Sequence, residues 1–571
     1  MCGIFGFNFE DKSFCKKGLK TMTPRGPDDS GVYVDKKVTL GHNRLSIIDL
    51  SKYGKQPLSN ENETILITFN GEIYNFKELK NHLKKNHNFK SNTDTELLVH
   101  LYEEEGINML DKLQGMFAFC IYDKIKNIFF LARDRIGIKP LYYYFDKKKF
   151  IFASEIKAII EDKNIERKVN PNALSSFLAF RANILEETLF EKIKKLMPSH
   201  YIIFNLDERK ISINKYWEIK GNSSKQNDSN SQLKLLELLK NSVKDRLVSD
   251  VPYGAYLSGG VDSGAIVALM KNYSNSPIKT FSVGFNQAEH NELSEAKFLA
   301  EKLSTDHHEL TISENSIKYL PKIIHHADEP MSDPTSIPLF LLSEYAKKYC
   351  TVVLTGEGAD ELFAGYPQYK FMKLRQKIPP FCKNTIYKSI QKFPKNLLNN
   401  YFKFASSLGE KGMERFSNFL KSDNLSEQYL NLVSIFNEQE QKEMLSKNIS
   451  ICERYKKYFN KNNLLESCQL FDFKGPMVED LLMKVDKNTM AFSVEGRVPY
   501  LDHRIVEFVF NLPPTKKLNL LNKDKYILRK AVKNLIPSQT RKRKKRHFFA
   551  STFYLLPSTF YLLPKYKHLL N

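Results

Sequence analysis

Between Tyr256 and Gly264 the chain reads Tyr256-Leu257-Ser258-Gly259-Gly260-Val261-Asp262-Ser263-Gly264. Two adjacent glycines let backbone N–H groups turn inward on an anion, and Ser258 and Ser263 add hydroxyl donors. The apolar run Ala265 to Met270 predicts a helix whose positive end faces the loop. Together these make a pyrophosphate cradle. It is not a Walker loop, because no Gly-Lys-Ser/Thr follows the glycines and no lysine is poised for a γ-phosphate. Asp262 stands where a carboxylate could hold Mg²⁺ against the phosphates. The competing reading is an ordinary Gly-rich turn. A second loop, Thr355-Gly356-Glu357-Gly358-Ala359-Asp360-Glu361, crowds three carboxylates after an apolar run. Such charge density costs stability unless a cation sits there, so Asp262 and Asp360 are expected to hold the metal. A solvated acidic loop is the alternative.

A different chemistry is available at the start of the chain. Cys2 follows Met1, and removal of Met1 would give Cys2 a free α-amine with a pKa of about 8, able to act as base for its own thiol. A buried structural cysteine is the plainer reading of Cys2 alone. Polar clusters follow that could serve a nucleophile. Arg44 ends an apolar strand, and its fork suits an α-carboxylate. Asn70 and Gly71 follow the strand Ile65 to Phe69 and could form an oxyanion hole. Ser91 to Glu96 caps a helix expected over 97–105, which leaves Asp94 to bind an ammonium group. Each cluster could also be only a turn or a cap.

These groups need elements to hold them. At 571 residues the chain is expected to form two or more domains. Residues 2–210 carry the first set of clusters. A polar stretch, 211–232, reads as a linker, and 233–571 as a second domain. In the second domain a helix over 233–247 and alternating signals (strand 279–285, helix 292–303, strand 351–354) predict a doubly wound parallel sheet, with ligands at the strands' carboxyl ends. The net charge of +22 could suggest nucleic acid, but the lysines are spread along the whole chain, so no nucleic-acid partner is expected, nor from the basic run 541–546. The seven cysteines are scattered without a Cys-x-x-Cys, which fits a reducing cytoplasm and neither disulfides nor zinc. No signal peptide or membrane span is visible.

The clusters together resemble the glutamine-hydrolysing asparagine synthetases. Cys2-Gly3-Ile4, Arg25-Gly26-Pro27-Asp28, Arg44-Leu45-Ser46-Ile47, Asn70 to Asn75, Asp94-Thr95-Glu96, Gly115 to Phe119, Ala132 to Tyr143 and Phe152 to Lys157 are similar to the class II, N-terminal-nucleophile glutamine amidotransferases. The resemblance implies an α+β sandwich of two stacked antiparallel sheets between helices, in which Cys2 attacks the glutamine amide. It implies Asn70 and Gly71 at the oxyanion, Arg44 at the α-carboxylate, and Glu72 and Asp94 near the α-amine. The second half resembles an adenylating α/β domain of the adenine nucleotide α-hydrolase type. There the resemblance implies Leu257, Val283 and Gly356 on ATP beside Ser258, Gly259, Gly260, Asp262, Ser263 and Thr355, with Lys525 stabilising charge and Glu357 at the acceptor. Val494 to His503 and Lys525 to Arg529 carry the remaining similarity.

The chemistry implied is amide synthesis. A carboxylate such as aspartate attacks the α-phosphorus of ATP, pyrophosphate leaves with Mg²⁺ spreading its charge, and ammonia from Cys2 opens the acyl-AMP. The resemblance also implies a tunnel for that ammonia, and allows a homodimer. Two alternatives stand: another carboxylate as acceptor, such as a sugar acid of a surface polysaccharide, or a partly inactive remnant. The second rests on the C-terminus. Ser551 to Pro557 is repeated as Ser558 to Pro564, and a tandem TTCTACC heptanucleotide would encode that unit, so 546–571 is expected to be repeat-derived. No matched catalytic position is lost.

Overall fold

The computed structural model describes residues 1–219, 230–286, 291–376, 410–445, 449–459, 464–519 and 523–543. The tail expected to be repeat-derived (546–571) and residues 220–229 of the expected linker lie outside these residues.

The first half contains strands β1 (Gly3–Phe7), β2 (Asp29–Val34), β3 (Thr39–Arg44), β4 (Leu58–Ser59), β5 (Ile65–Ile73), β6 (Gly115–Asp123), β7 (Ile128–Arg133), β8 (Tyr142–Phe145), β9 (Phe150–Ala153), β10 (Ile193–Lys195), β11 (His200–Asn205) and β12 (Lys210–Lys215). They form two six-stranded sheets, ordered β10-β8-β9-β1-β3-β2 and β12-β11-β7-β6-β5-β4. All pairings within them are antiparallel.

Period-two alternation builds the layers. Ile4, Leu40, Leu66, Ala118, Leu131, Phe152 and Phe204 fill the space between the sheets. Phe5 and Phe7 point the other way, onto the helix Lys12–Thr21. Ile67 and Phe69 likewise face the helix Asp94–Glu105. The expected sandwich of stacked antiparallel sheets between helices is therefore present. On β5 the same alternation turns Leu66, Thr68 and Asn70 inward, and this register carries Asn70 to the residue that precedes β1. Pairing of β12 with β11 runs to Lys215, five residues past the expected domain end, and the next helix begins at Ser231.

The second half contains β13 (Tyr253–Tyr256), β14 (Lys279–Phe285), β15 (Asp306–Ile312), β16 (Val352–Leu354) and β17 (Glu495–Arg497). They form one parallel sheet, ordered β15-β14-β13-β16-β17. The chain goes outward from β13 through β14 to β15, then returns to the other side of β13 with β16. The carboxyl end of β13 is thus the switch point, where such sheets open a ligand crevice. The helix Val261–Met270 starts there and is buried almost all round, in keeping with its uniformly apolar sequence. A set of helices between 410 and 474 packs against Ala179, Phe180 and Ile184 of the N-terminal half.

Candidate active site

Two polar sites lie on either side of one buried wall. In the first, Cys2 sits below β1, 8% exposed. Its backbone nitrogen donates to Asn70 Oδ1 at 3.0 Å. With the oxygen so engaged, Asn70 Nδ2 is turned away, and among the described residues this buried amide nitrogen has no hydrogen-bond partner. Burial pushes the Cys2 thiol up, and the charge of the neighbouring N-terminus opposes that shift. Cys2, Arg44, Gly71, Glu72, Thr93 and Asp94 line one cavity, closed on the far side by Glu495.

Sequence order alone did not fix how these side chains are engaged. Arg44 donates to the Ser51 carbonyl at 2.7 Å and to that of Asp49, which leaves part of its five-donor fork for the cavity. The helix begins at Asp94 rather than Leu97, with Thr93 as its cap. Asp94 is therefore not a free carboxylate as expected: its Oδ2 accepts the Ile73 N–H at 2.8 Å. Burial, and then the nearby charge of Glu495, raise its pKa to about 7. Glu72 accepts from Arg497 Nη2 at 2.8 Å, and burial with the neighbouring Asp94 raises its pKa.

The second half of the chain closes this first site. Arg497, fully buried, also donates to Glu495 Oε1 at 2.6 Å, and Glu495 Oε2 pairs with the Met1 ammonium at 3.3 Å. Arg25 donates through Nε to the Cys2 carbonyl at 3.1 Å and pairs through Nη1 with Glu155 at 3.1 Å and Asp486 at 2.7 Å. Asp486 belongs to the helix Met483–Met490, which follows a π-helical segment, Met477–Leu482. On the same helix Lys487 reaches Asp328 at 2.9 Å, and Lys484 reaches Asp333 at 2.9 Å and Thr335 at 2.7 Å. One helix therefore touches the Cys2 side through Asp486 and the acidic loops of the second half through Lys484.

The second site lies at the switch point. Ser258 and Ser263 close the loop on itself: Ser258 N–H donates to Ser263 Oγ at 3.0 Å, and the two hydroxyls stand 2.9 Å apart. Leu257 N–H donates to Phe281 O at 2.9 Å, and Ser282 donates back to the Leu257 carbonyl, so Val283 lies next along β14. Gly356 lies against Asp262 and Ser263; a Cβ there would stand 3.2 Å from Ser263 N. Thr355 N–H donates to Arg497 O at 2.9 Å, and among the described residues its buried hydroxyl has no hydrogen-bond partner.

Lys525 caps the helix Tyr526–Ala531 in the left-handed region, at φ 49°, and aims its buried ammonium at Asp262 Oδ2 (2.5 Å) and Asp360 Oδ1 (2.7 Å). Gly365 makes room for this, because a Cβ there would lie 2.4 Å from Lys525 Cε. The two expected metal ligands thus converge on one cation, a donor set that also suits a hard divalent ion shared with phosphate oxygens. Glu357 is half-buried, and its charge acts on Lys484 and Asp480. Asp480 is held at a pKa of about 7 by burial and the charge of Asp333.

Arg25, Asp486, Lys484 and Arg543 are positions to which sequence reading gave no role. Charges inside the helical run 483–490, whose every residue is buried, were the available signal for two of them. Arg543 was read as part of a bland basic stretch. In the fold it lies over the glycine loop, where a Cβ on Gly259 would stand 2.3 Å from its Nη1. Glu292 (3.2 Å) and Glu295 (3.0 Å) hold its guanidinium. Among the described residues no helix is long and apolar enough to cross a membrane.

Residues 1–217 match the family description "Glutamine amidotransferase domain", and residues 234–560 match "Asparagine synthase". The chain is 35% identical to "Asparagine synthetase [glutamine-hydrolyzing] 1" of Bacillus subtilis, over 96% of this chain and 87% of that protein. It is 37% identical to "Putative asparagine synthetase [glutamine-hydrolyzing] 2" of Methanocaldococcus jannaschii, over 67% of this chain and 79% of that one. Among solved structures, glutamine phosphoribosylpyrophosphate amidotransferase from B. subtilis aligns at 17% identity and a TM-score of 0.30, covering 54% of this chain and 65% of that one. With both family descriptions matched in order along the chain, and more than a third of positions shared with a relative over nearly its whole length, the protein belongs to the glutamine-hydrolysing asparagine synthetases.

Proposed function

We propose that this ligase transfers the amide nitrogen of glutamine to aspartate at the expense of ATP, giving asparagine, glutamate, AMP and pyrophosphate. In this reading removal of Met1 exposes the Cys2 amine, which already has an acceptor in Asn70 Oδ1. The amine takes the thiol proton, Sγ attacks the glutamine δ-carbon, and the unpartnered Asn70 Nδ2 receives the developing oxyanion, with Gly71 beside it. Collapse releases ammonia, which carries away the proton held by the amine. Water then hydrolyses the thioester to glutamate. Arg44 holds the substrate carboxylate, and Asp94 and Glu72 hold its ammonium.

At the switch point Ser258, Gly259, Gly260 and Ser263 hold the β- and γ-phosphates, while Leu257, Val283, Thr355 and Gly356 hold the rest of the nucleotide. Asp262 and Asp360 would hold Mg²⁺, which when bound neutralises phosphate charge. Lys525 supplies a fixed positive charge between the same two carboxylates. The aspartate β-carboxylate attacks the α-phosphorus and pyrophosphate leaves. Ammonia attacks the acyl carbon and AMP leaves. Glu357 borders the acceptor. The tunnel suggested by family resemblance would follow the wall made by Met483–Met490.

The observation that carries the reading is Asn70. Its oxygen accepts from the Cys2 nitrogen, and among the described residues its buried N–H₂ has no hydrogen-bond partner, which leaves that donor for an oxyanion formed beside Cys2. The test uses purified chain with glutamine, Mg-ATP and aspartate, following glutamate, AMP and asparagine together. Asparagine in step with AMP is expected. Glutamate without AMP, or AMP only with some other carboxylate, would overturn the assignment of aspartate.

A further inference from the structure

A second polar cluster lies in the first half, between the helix Asp94–Glu105, the loop before it and the β4–β5 turn, and the reaction uses none of it. Glu61 comes from the turn between β4 and β5, His87 from the loop 82–93, and His100 and Glu103 from that helix. His100 and Glu103 are three residues apart and so share one helix face. One side-chain ligand atom from each of the four lies within 4.8 Å of the other three.

The geometry around the two imidazoles is directional. His87 turns Nε2 outward to Glu104 Oε1 at 3.2 Å and Nδ1 inward to Glu61 Oε1 at 3.6 Å. His100 turns Nε2 to Glu96 Oε1 at 3.9 Å and Nδ1 to Glu61 Oε2 at 3.7 Å. Each ring thus has one carboxylate near its Nε2 and presents its Nδ1 to the Glu61 carboxylate. This is the carboxylate–histidine–metal arrangement, in which the outer acid fixes the tautomer and raises ligand basicity.

The outer acids are themselves fixed. Glu104 accepts the backbone N–H groups of Lys84 and Lys85, and Glu96 accepts those of Lys90 and Ser91. His100 is 1% exposed, and among the described residues neither of its ring nitrogens has a hydrogen-bond partner. A buried imidazole with both nitrogens unsatisfied, facing carboxylates just beyond hydrogen-bond reach, is costly unless something is bound between them. Ligands about 2.0–2.1 Å from a tetrahedral zinc ion stand about 3.4 Å apart; the two imidazole–Glu61 separations are 3.6 and 3.7 Å, and all four ligand atoms lie within 4.8 Å of one another. Glu61 is exposed at the rim and leaves an entry path.

We propose that Glu61, His87, His100 and Glu103 bind one divalent transition-metal ion of the zinc type. Two neutral imidazoles and two carboxylates favour such an ion over Mg²⁺ or Ca²⁺, which prefer all-oxygen sites. The ion staples the loop 82–93 and the turn at Glu61 to the helix whose first turn, Thr93-Asp94-Thr95, lines the Cys2 cavity. It is a positioning site, none of whose four ligands lines the Cys2 cavity.

The test uses untagged full-length chain, stripped with chelator and titrated with Zn²⁺ and with Co²⁺. Uptake of about one equivalent per chain with micromolar or tighter affinity is expected, with a visible Co²⁺ spectrum of tetrahedral N/O type. Glu61→Gln, at the exposed rim, and His87→Asn should each weaken uptake by at least tenfold while ATP-dependent AMP formation with ammonia persists. Failure of the parent chain to take up either ion would overturn the proposal. So would uptake unchanged in both variants, or a cobalt spectrum dominated by a thiolate charge-transfer band, which would place the ion on cysteine.

Discussion

Asn70→Ala separates the two half-reactions and puts a number on the amide. The substitution removes Nδ2, the donor assigned to the oxyanion, and Oδ1, the acceptor for the Cys2 nitrogen. Loss of one preorganised oxyanion donor lowers kcat by about 10²–10³, or roughly 2.7–4 kcal/mol of barrier. The effect on stability runs differently. The unpaired buried Nδ2, costing about 1–3 kcal/mol, disappears, but the buried Cys2 N–H loses its acceptor at a similar cost. The two terms offset, so the folded state should be little changed. The assay compares glutamate release from glutamine with asparagine formation from ammonium chloride in the same preparation, alongside a urea unfolding curve. Glutaminase activity should fall by about two to three orders of magnitude with ammonia-dependent synthesis intact. A glutaminase loss under about tenfold in folded protein would refute the oxyanion role, as would a parallel fall in the ammonia-dependent reaction.

Four further outcomes follow from the geometry. Asp94 carries a folded-state pKa of about 7, above the usual 3.8, so its proton favours the empty fold at low pH and that contribution is lost as pH rises through about 7; an ammonium needs the ionised form, so KM for glutamine should rise as pH falls from about 8 to 6, and Asp94→Asn should flatten that profile. Lys525→Met removes the charge between Asp262 and Asp360 and should cut AMP formation by about 10²–10³ while glutamate release in the absence of ATP is retained, read by parallel AMP and glutamate assays. Arg543→Gln should raise KM for ATP by about tenfold, roughly 1.4 kcal/mol, and leave glutaminase kinetics unchanged, because the guanidinium lies over Gly259 and does not line the Cys2 cavity. Arg497→Ala leaves Glu72 and Glu495 buried without their shared cation and should destabilise by about 3–5 kcal/mol in denaturant unfolding.

Much of this was legible in the sequence because the informative residues are local. The strand–glycine–helix grammar around Ser258 to Ser263 needs only a dozen consecutive positions, and the parallel order of the sheet follows from alternating signals. The Cys2 cavity was readable as a set of residue types but not as a set of partners. Whether Glu72 faces solvent or Arg497 depends on residues 425 positions apart, and no local pattern carries that. The segment 494–503 was assigned to the synthetase half, and its sheet position agrees. Its charged side chains nevertheless turn toward Met1 and Glu72, because β17 lies at the edge of the parallel sheet that meets the sandwich. The position of Arg543 was masked by its company, since lysine and arginine neighbours made a guanidinium that lies over Gly259 look like solvated surface.

The helix Met483–Met490 has a consequence for how such a chain can be recombined. It supplies Asp486 to Arg25 and Lys487 to Glu155 and Asp328, while β17 supplies Arg497 to Glu72. A cut near residue 220 looks like a natural seam in the primary sequence, yet it takes Asp486 from Arg25, which keeps only Glu155, and leaves Glu72 without Arg497, the counter-charge that makes its burial tolerable. Grafting the glutamine-cleaving half onto a different acceptor-activating half therefore means carrying residues 477–497 with it. The unit of inheritance in this architecture is discontinuous, and its border runs through a helix rather than through the polar stretch that separates the halves.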